Sequence, residues 1–131
     1  MKNISQKLGI WPNDEILLVN PDERVVERIQ QEQHEDVKFL YDKPSHPVPV
    51  VLIWLLEGDD ATALANIYRQ VIDETGQIWF FFPKKETMRK NQLTVTRETV
   101  TLDVTRANLE MTKVCSIDAD TQAMGFVLRL D

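Results

Sequence analysis

The sequence predicts a three-layer α/β domain whose mostly parallel sheet has about six strands and ends in an antiparallel C-terminal hairpin. Its apolar runs mostly lack period-2 alternation, which is typical of strands covered on both faces. Amphipathic segments separate these runs and can serve as the crossovers that parallel strands require. The last two runs, residues 112–117 and 124–130, are joined by the short stretch 118–122, which indicates a hairpin.

The composition narrows the possible classes of protein before any motif is considered. The chain has 131 residues, 15 basic and 21 acidic side chains, and a net charge of −6. This length predicts a single domain over residues 1–131. Its one cysteine, Cys115, excludes an intramolecular disulfide and a multi-thiolate metal site. The longest apolar run, residues 48–56, is too short to span a bilayer, and the N-terminus lacks a signal-peptide core. We therefore expect a soluble cytoplasmic protein with no membrane partner.

The first predicted strand, residues 14–20, is followed at once by a helix. Asn20 is a favourable N-cap and Pro21 suits the first helical position. The carboxylates of Asp22 and Glu23 complement the positive end of a helix. The buried stripe of this helix comprises Val25, Val26 and Ile29.

Three more strands are predicted before the C-terminal hairpin. Residues 36–41 alternate in part, which indicates a strand nearer the edge of the sheet. Residues 50–56 form the most apolar segment and are predicted to be the central strand. Residues 77–82 form a fourth strand, which Pro83 ends.

A second helix is predicted between the third and fourth strands. Asp59 or Asp60 caps its start, and Gly76 supplies a left-handed stop after residue 75. Its expected core face comprises Leu64, Ile67, Tyr68, Val71 and Ile72.

Residues 93–109 are compatible with either type of secondary structure. Their threonines and their alternation favour a strand by local propensity. At helical spacing, a different set of apolar residues shares one face: Val100, Val104, Ala107 and Met111. We predict a helix for much of this segment, because two neighbouring parallel strands need a crossover and no other segment is available to cover that side.

Several short motifs resemble a known fold. The leader over residues 8–14 is similar to the one that precedes the first strand of class I methyltransferase-like Rossmann domains, and the closing hairpin resembles the last two strands of that fold. Over nearly the whole chain, the sequence resembles a family of short bacterial proteins with a degenerate form of this architecture, domain-of-unknown-function family 3052. The matching residues are 7–10, 78–79, 83–85, 95–98, 113–118 and 126–127. This resemblance implies a Rossmann-like fold and not an activity.

The same resemblance directs attention to the loop after the first strand. Methyltransferase-like folds bind S-adenosylmethionine through a glycine-rich loop there, because bare backbone lets the ligand approach closely. In this chain the loop is residues 20–24, which include no glycine, one proline and two carboxylates. We therefore expect no cofactor, and we predict a non-catalytic domain that serves as a binding or regulatory module.

Candidate ligand-binding residues lie where the predicted parallel strands end, at the carboxyl edge of the sheet. They are Asn20, Asp42, Lys84 and Lys85. Asp42 follows the second strand, where related folds place an acid on a ribose hydroxyl, although a solvated loop carboxylate is the simpler interpretation. Residues 84–90 carry four bases and one acid in an otherwise acidic chain. This basic loop predicts, as an alternative function, an enzyme or sensor that binds a small phosphate- or carboxylate-bearing metabolite. The simpler interpretation is a charged loop that limits aggregation after an apolar strand.

Other chemically active side chains indicate no catalytic residue and no metal site. His34 and His46 lack a second ligand at metal spacing, although His46 could pair with Asp42. Cys115 is predicted to be an inert core thiol. The aromatic residues Trp54, Trp79 and 80–82 are also predicted to lie in the core.

The partners that the sequence allows are an unknown protein or a small anionic ligand. The net charge of −6 disfavours a nucleic acid, because a polyanion is repelled at long range. Self-association through an edge of the sheet remains possible.

Overall fold

The computed structural model describes residues 3–32, 36–56, 58–84 and 96–129. The strands of this part of the chain are β1 Glu15–Val19, β2 Lys38–Leu40, β3 Val48–Trp54, β4 Ile72–Pro83, β5 Leu109–Ser116 and β6 Thr121–Leu128. The helices are α1 Ile4–Lys7, α2 Glu23–Glu32, α3 Ala61–Tyr68 and α4 Arg97–Thr105. The described strands form one six-stranded sheet in the order β2-β1-β3-β4-β6-β5.

The sheet is parallel over its first four strands and antiparallel at its C-terminal end. β1 pairs in parallel with β2 and β3, and β3 pairs in parallel with β4. β6 runs antiparallel to both β4 and β5. The predicted α/β class with its closing hairpin is confirmed, as are the edge position of β2 and the interior position of β3. The strand order reverses between β1 and β3.

Alternating side chains of the sheet build two separate apolar layers. One layer joins sheet residues such as Leu17, Val51 and Phe80 to α3 and α4. The other joins Ile16 and Leu52 to α1 and α2. Helices therefore cover both faces, which explains why the central strands are apolar without alternation. Trp54 and Trp79 are buried in the second layer, as predicted.

The start of α2 differs from the prediction. Asn20 is not the N-cap: it adopts a left-handed backbone with φ 54°, which asparagine tolerates better than most residues. The helix begins at Glu23, and Asp22 caps it by accepting a hydrogen bond from the Arg24 backbone N–H at 3.0 Å. Pro21 therefore lies in the turn between strand and helix. Asn20 and Asp22 are both favourable N-cap residues, so the residue types alone could not show which of them caps α2.

The predicted extent of the next helix is wrong. Asp60 caps α3 as expected, but α3 ends at Tyr68 and β4 begins at Ile72. The expected core residue Ile67 is exposed, whereas Val71 and Ile72 are buried. The β-branched side chains of these two residues favour an extended backbone, which a helix pattern does not reveal.

Gly76 lies inside β4 and is not a helix stop. A Cβ at this position would lie 2.7 Å from the carbonyl oxygen of Pro49 and 2.5 Å from Cγ1 of Ile72. Glycine is needed here because the neighbouring backbone approaches closely.

The helix prediction for the ambiguous segment is confirmed over α4. Thr96 accepts a hydrogen bond from Thr99 N, and the Thr101 and Thr105 hydroxyls donate to the carbonyls four residues earlier at 2.7 and 2.8 Å. These bonds accommodate threonine in a helix. Met111, expected on the helix face, instead lies exposed in β5. Residues 93–95 lie outside the described residues.

Replacing Gly76 with alanine tests this close approach. We expect Gly76→Ala to lower the free energy of unfolding by about 1–3 kcal/mol, because the new methyl group forces the β3–β4 backbones apart. Thermal or urea unfolding measures the change. Glu74→Ala, an exposed neighbour in the same strand, is the control and should stay within about 0.5 kcal/mol of wild type. Equal stability of the two variants would show that the backbone moves apart freely.

Candidate functional site

A cleft of about 310 Å³ opens at the carboxyl ends of β1, β3 and β4. This is the edge of the sheet where the strand order reverses, which is the usual ligand position in an open α/β sheet. The cleft is lined by Asn20, Pro21, Asp22, Trp54, Leu55, Leu56, Phe81, Phe82, Pro83 and Thr121. Most of these side chains are apolar, so water is held weakly along its walls.

The aromatic wall of the cleft comes from two neighbouring strands. Trp54 and Phe81 pair in the β3–β4 ladder, and their rings stack with centroids 4.3 Å apart and planes 14° apart. Trp54 is only 7% exposed, and its indole Nε1 has no hydrogen-bond partner among the described residues. A buried donor left unpaired costs about 1–3 kcal/mol. The wall of the cleft therefore contains one unsatisfied N–H group beside two stacked aromatic rings.

The loop after β1 forms the polar rim of the cleft. Asp22 accepts hydrogen bonds from the Arg24 guanidinium at 3.0 and 3.2 Å, and these bonds lower the pKa of Asp22 below its ordinary value. Its carboxyl group is therefore ionised at neutral pH. Three N–H groups of the first turns of α2 already have acceptors, because Arg24 N donates to the Asp22 carboxylate while Val25 N and Val26 N donate to the Asp22 carbonyl.

Two carboxylates of the loop after β3, those of Asp59 and Asp60, accept hydrogen bonds from nearby backbone N–H groups. Asp59 accepts from the Leu56 N–H at 2.8 Å, and Asp60 caps α3 by accepting from the Ala63 N–H at 3.1 Å. Leu56 remains 53% exposed at the rim of the cleft. This side of the cleft thus presents an apolar side chain to an incoming ligand, while the acids beside it complete the turn.

The four residues predicted to bind a ligand do not lie together. Asn20 lines the cleft, whereas Asp42 lies exposed in the loop after β2 and is not part of the lining. Lys84 follows the cleft residue Pro83, but its Nζ donates to Ser116 Oγ at 2.6 Å. Lys85 lies outside the described residues, as does most of the predicted basic loop.

From the sequence, the aromatic residues of the cleft were predicted to lie in the core, and their place in the lining of a cleft was not predicted. Trp54 and Phe81 lie at or near the carboxyl ends of two adjacent strands, which is the signal that could have identified them as cleft residues. Thr121 carried no such signal, because its place at the cleft depends on the pairing of β6 with β4.

Other candidate residues are occupied by structural contacts. His46 does not pair with Asp42: its Nε2 lies 3.0 Å from a Glu15 carboxylate oxygen. Burial raises the pKa of the Cys115 thiol, which disfavours the reactive thiolate. His34 lies outside the described residues. Within the described ranges, no group of three or more histidine, cysteine or acidic side chains is placed to hold a metal ion.

Among the residues that the structure describes, none forms a helix with the length and apolar character that crossing a membrane requires.

Solved structures with a similar arrangement are methyltransferases. The N-methyltransferase NodS from Bradyrhizobium japonicum WM9 covers 93% of this chain and 89% of its own, with a TM-score of 0.58 and 11% identity. A TehB-like SAM-dependent methyltransferase from Corynebacterium glutamicum covers 92% of this chain and 83% of its own, with a TM-score of 0.55 and 10% identity.

A third similar structure is larger than this chain. The pyocyanin biosynthetic protein PhzM has a TM-score of 0.72 and 11% identity over 95% of this chain, which spans only 53% of PhzM. The sequence itself matches no protein-family model and no curated protein. At these identities the likeness is one of fold, and the chain has the Rossmann-like α/β fold of S-adenosylmethionine-dependent methyltransferases.

Proposed function

We propose that the protein is a non-catalytic, methyltransferase-like binding or regulatory module whose cleft accepts an uncharged, mainly apolar group. The observation that carries this proposal is the combination of an apolar cleft with an already capped helix start at its rim. Leu55 and Leu56 supply accessible apolar surface in this cleft. Asp22 accepts hydrogen bonds from the N–H groups of Arg24, Val25 and Val26, which are therefore taken up by the protein itself.

The residues at the rim do not suit the cofactor that this fold commonly binds. S-adenosylmethionine carries a carboxylate on its methionine part, and backbone N–H groups at a helix start are the usual partners of such a group. Here Pro21 has no N–H, and the ionised Asp22 lies in the same rim. A second carboxylate placed there would be repelled and would find few free donors. Asn20 keeps the left-handed turn that glycine would allow, so the misfit lies in the chemistry of the loop.

The cleft also offers little for proton transfer. Of the described residues that line it, Asp22 is the one with an ionisable side chain. A general base works best when its pKa lies near the operating pH, and Arg24 lowers the pKa of Asp22 away from that range. This arrangement supports binding without catalysis.

The cleft should not respond to the usual cofactor. We expect the melting temperature to change by less than about 1 °C in 1 mM S-adenosylmethionine or S-adenosylhomocysteine, because a ligand that does not bind the native state cannot stabilise it. Differential scanning fluorimetry measures the shift. A rise of several degrees that saturates with concentration would overturn the proposal.

A small neutral ring should bind where the cofactor does not. We expect indole at millimolar concentration to raise the melting temperature saturably, by about 1–3 °C, through burial against Leu55 and Leu56 in the cleft. Leu56→Lys places a charge on the rim and should weaken this response at least about threefold. Leu102→Lys is the matched control, because Leu102 is similarly exposed but lies on α4, away from the cleft. Equal responses in the two variants would place indole elsewhere.

The charge of Asp22 should appear in the pH dependence of stability. Asp22→Asn keeps a capping side chain but removes the charge that Arg24 stabilises. Since the folded-state pKa of Asp22 is lowered, this contribution is present above the ordinary pKa of about 3.9 and is lost as the pH falls through the folded value. We expect wild type to melt about 1–2 °C higher than Asp22→Asn at pH 7, with the difference shrinking as the pH falls below about 3.9. A difference of equal size at pH 7 and pH 2 would show that its cause is not the charge.

A further inference from the structure

Two lysine side chains from distant parts of the chain converge on one serine. The Lys84 ammonium lies 2.6 Å from Ser116 Oγ, and the Lys7 ammonium lies 3.1 Å from Ser116 O. Lys84 follows β4, Lys7 ends α1, and Ser116 ends β5. The meeting point is on the same edge of the sheet as the cleft, because β5 runs in the same direction as β4. It is separate from the cleft, whose lining includes none of these three residues.

Further cations surround this meeting point. The Lys113 ammonium donates to the carbonyl of Lys7 at 3.0 Å, and the Arg28 guanidinium donates to the carbonyl of Ile117 at 3.0 Å. The ion pairs Arg24–Asp22, His46–Glu15 and Arg106–Asp103 involve none of these four cations. The hydrogen bonds of the cations around Ser116 run to carbonyl and hydroxyl oxygens.

The Asp118 carboxylate of the adjacent turn is used by the backbone of that turn. It accepts the backbone N–H groups of Asp120 and Thr121, both at 2.8 Å. After Asp22, whose hydrogen bond is the main cause, the charges of Asp118 and Asp120 also raise the pKa of Arg24, so their field reaches the start of α2. They reduce the positive potential at Ser116, whose hydroxyl donates to the Asp118 carbonyl at 3.4 Å and accepts from Lys84.

A purely structural explanation accounts for only part of this arrangement. The hydrogen bond from Lys7 to the Ser116 carbonyl connects α1 to β5, just as the hydrogen bond from Trp79 to the Leu8 carbonyl connects that residue to β4. A second ammonium beside it adds repulsion between like charges without satisfying another backbone group. Such a pair is stabilised when an anion lies between the two charges.

We propose that Lys7, Lys84 and Ser116 form a binding site for a phosphate group on a small ligand. Two ammonium groups match the double charge of a phosphate near neutral pH, and the Ser116 hydroxyl can donate a third hydrogen bond if it exchanges its long bond to the Asp118 carbonyl, 3.4 Å, for one to the anion. This site goes beyond the apolar cleft in both place and chemistry. It also moves the predicted anion site away from Asn20 and Asp42 and retains Lys84.

Phosphate binding by the intact chain tests this site. Inorganic phosphate and phenyl phosphate are titrated into the protein at low ionic strength, with ³¹P NMR and calorimetry as readouts. We expect saturable binding that weakens about tenfold or more in Lys84→Gln and in Lys7→Gln and that falls with added sodium chloride. Lys84→Arg keeps the charge and should retain most of the affinity.

Matched controls separate this site from general salt effects and from the cleft. Lys43→Gln removes an exposed lysine from the loop after β2 and should bind phosphate like wild type. Circular dichroism confirms that each variant folds, and Ser116→Ala provides a variant that keeps both charges if a lysine variant unfolds; we expect it to weaken binding about threefold. No saturable binding by wild type, or equal binding by wild type and both lysine variants, would overturn the proposal. The indole response of the cleft should be unchanged in Lys84→Gln, so each proposal can fail alone.

Discussion

The packing of Trp79 determines how the N-terminal part of the chain meets the sheet. Trp79 is 1% exposed, and its indole N–H donates to the Leu8 carbonyl at 3.0 Å. A Cβ on Gly125 of the neighbouring β6 would lie 2.9 Å from the ring, so glycine makes room for it. Because this bond positions Leu8, it also positions α1 and the adjoining Lys7, which reaches Ser116. One buried indole therefore links the second apolar layer to the cation pair at the sheet edge.

The loop after β1 shows how a turn without glycine limits the chemistry beside it. Asn20 supplies the left-handed residue, and Asp22 then caps α2 with both its carboxylate and its carbonyl. Each of these two residues meets a need of the backbone, since the turn requires a residue with positive φ and the helix requires acceptors for its first N–H groups. The rim of the cleft therefore has three N–H groups already bonded to Asp22 and carries the negative charge of its carboxylate. The same residues that complete the turn thus favour an uncharged ligand.

From β1 onward the sequence predicted the order of strands and helices, because burial on both faces leaves a strong local pattern; the short helix α1 was not predicted. The predictions were wrong where a residue type is compatible with two kinds of secondary structure. The spacing of Val71 and Ile72 fits a helix face, but their β-branched side chains belong to the start of β4. Glycine often ends a helix, which is why Gly76 was predicted to do so. The structure shows that glycine is needed there because the Pro49 carbonyl lies too close for a side chain. These causes depend on tertiary contacts that no window of sequence contains.

The candidate sites were less predictable, because they depend on which strands become neighbours. Lys84 was identified from its charge, but its partner Ser116 lies two strands away through the β4–β6 and β6–β5 ladders. Thr121 lines the cleft, and the adjacent Gln122 pairs with Ser116 in the β5–β6 ladder. The start of β6 is therefore shared between an apolar cleft and a cationic pair. The Gln122 side chain also donates to the Pro83 carbonyl at 3.1 Å, so this one residue of β6 contacts the end of β4 beside the cleft and pairs with the residue that the lysines reach.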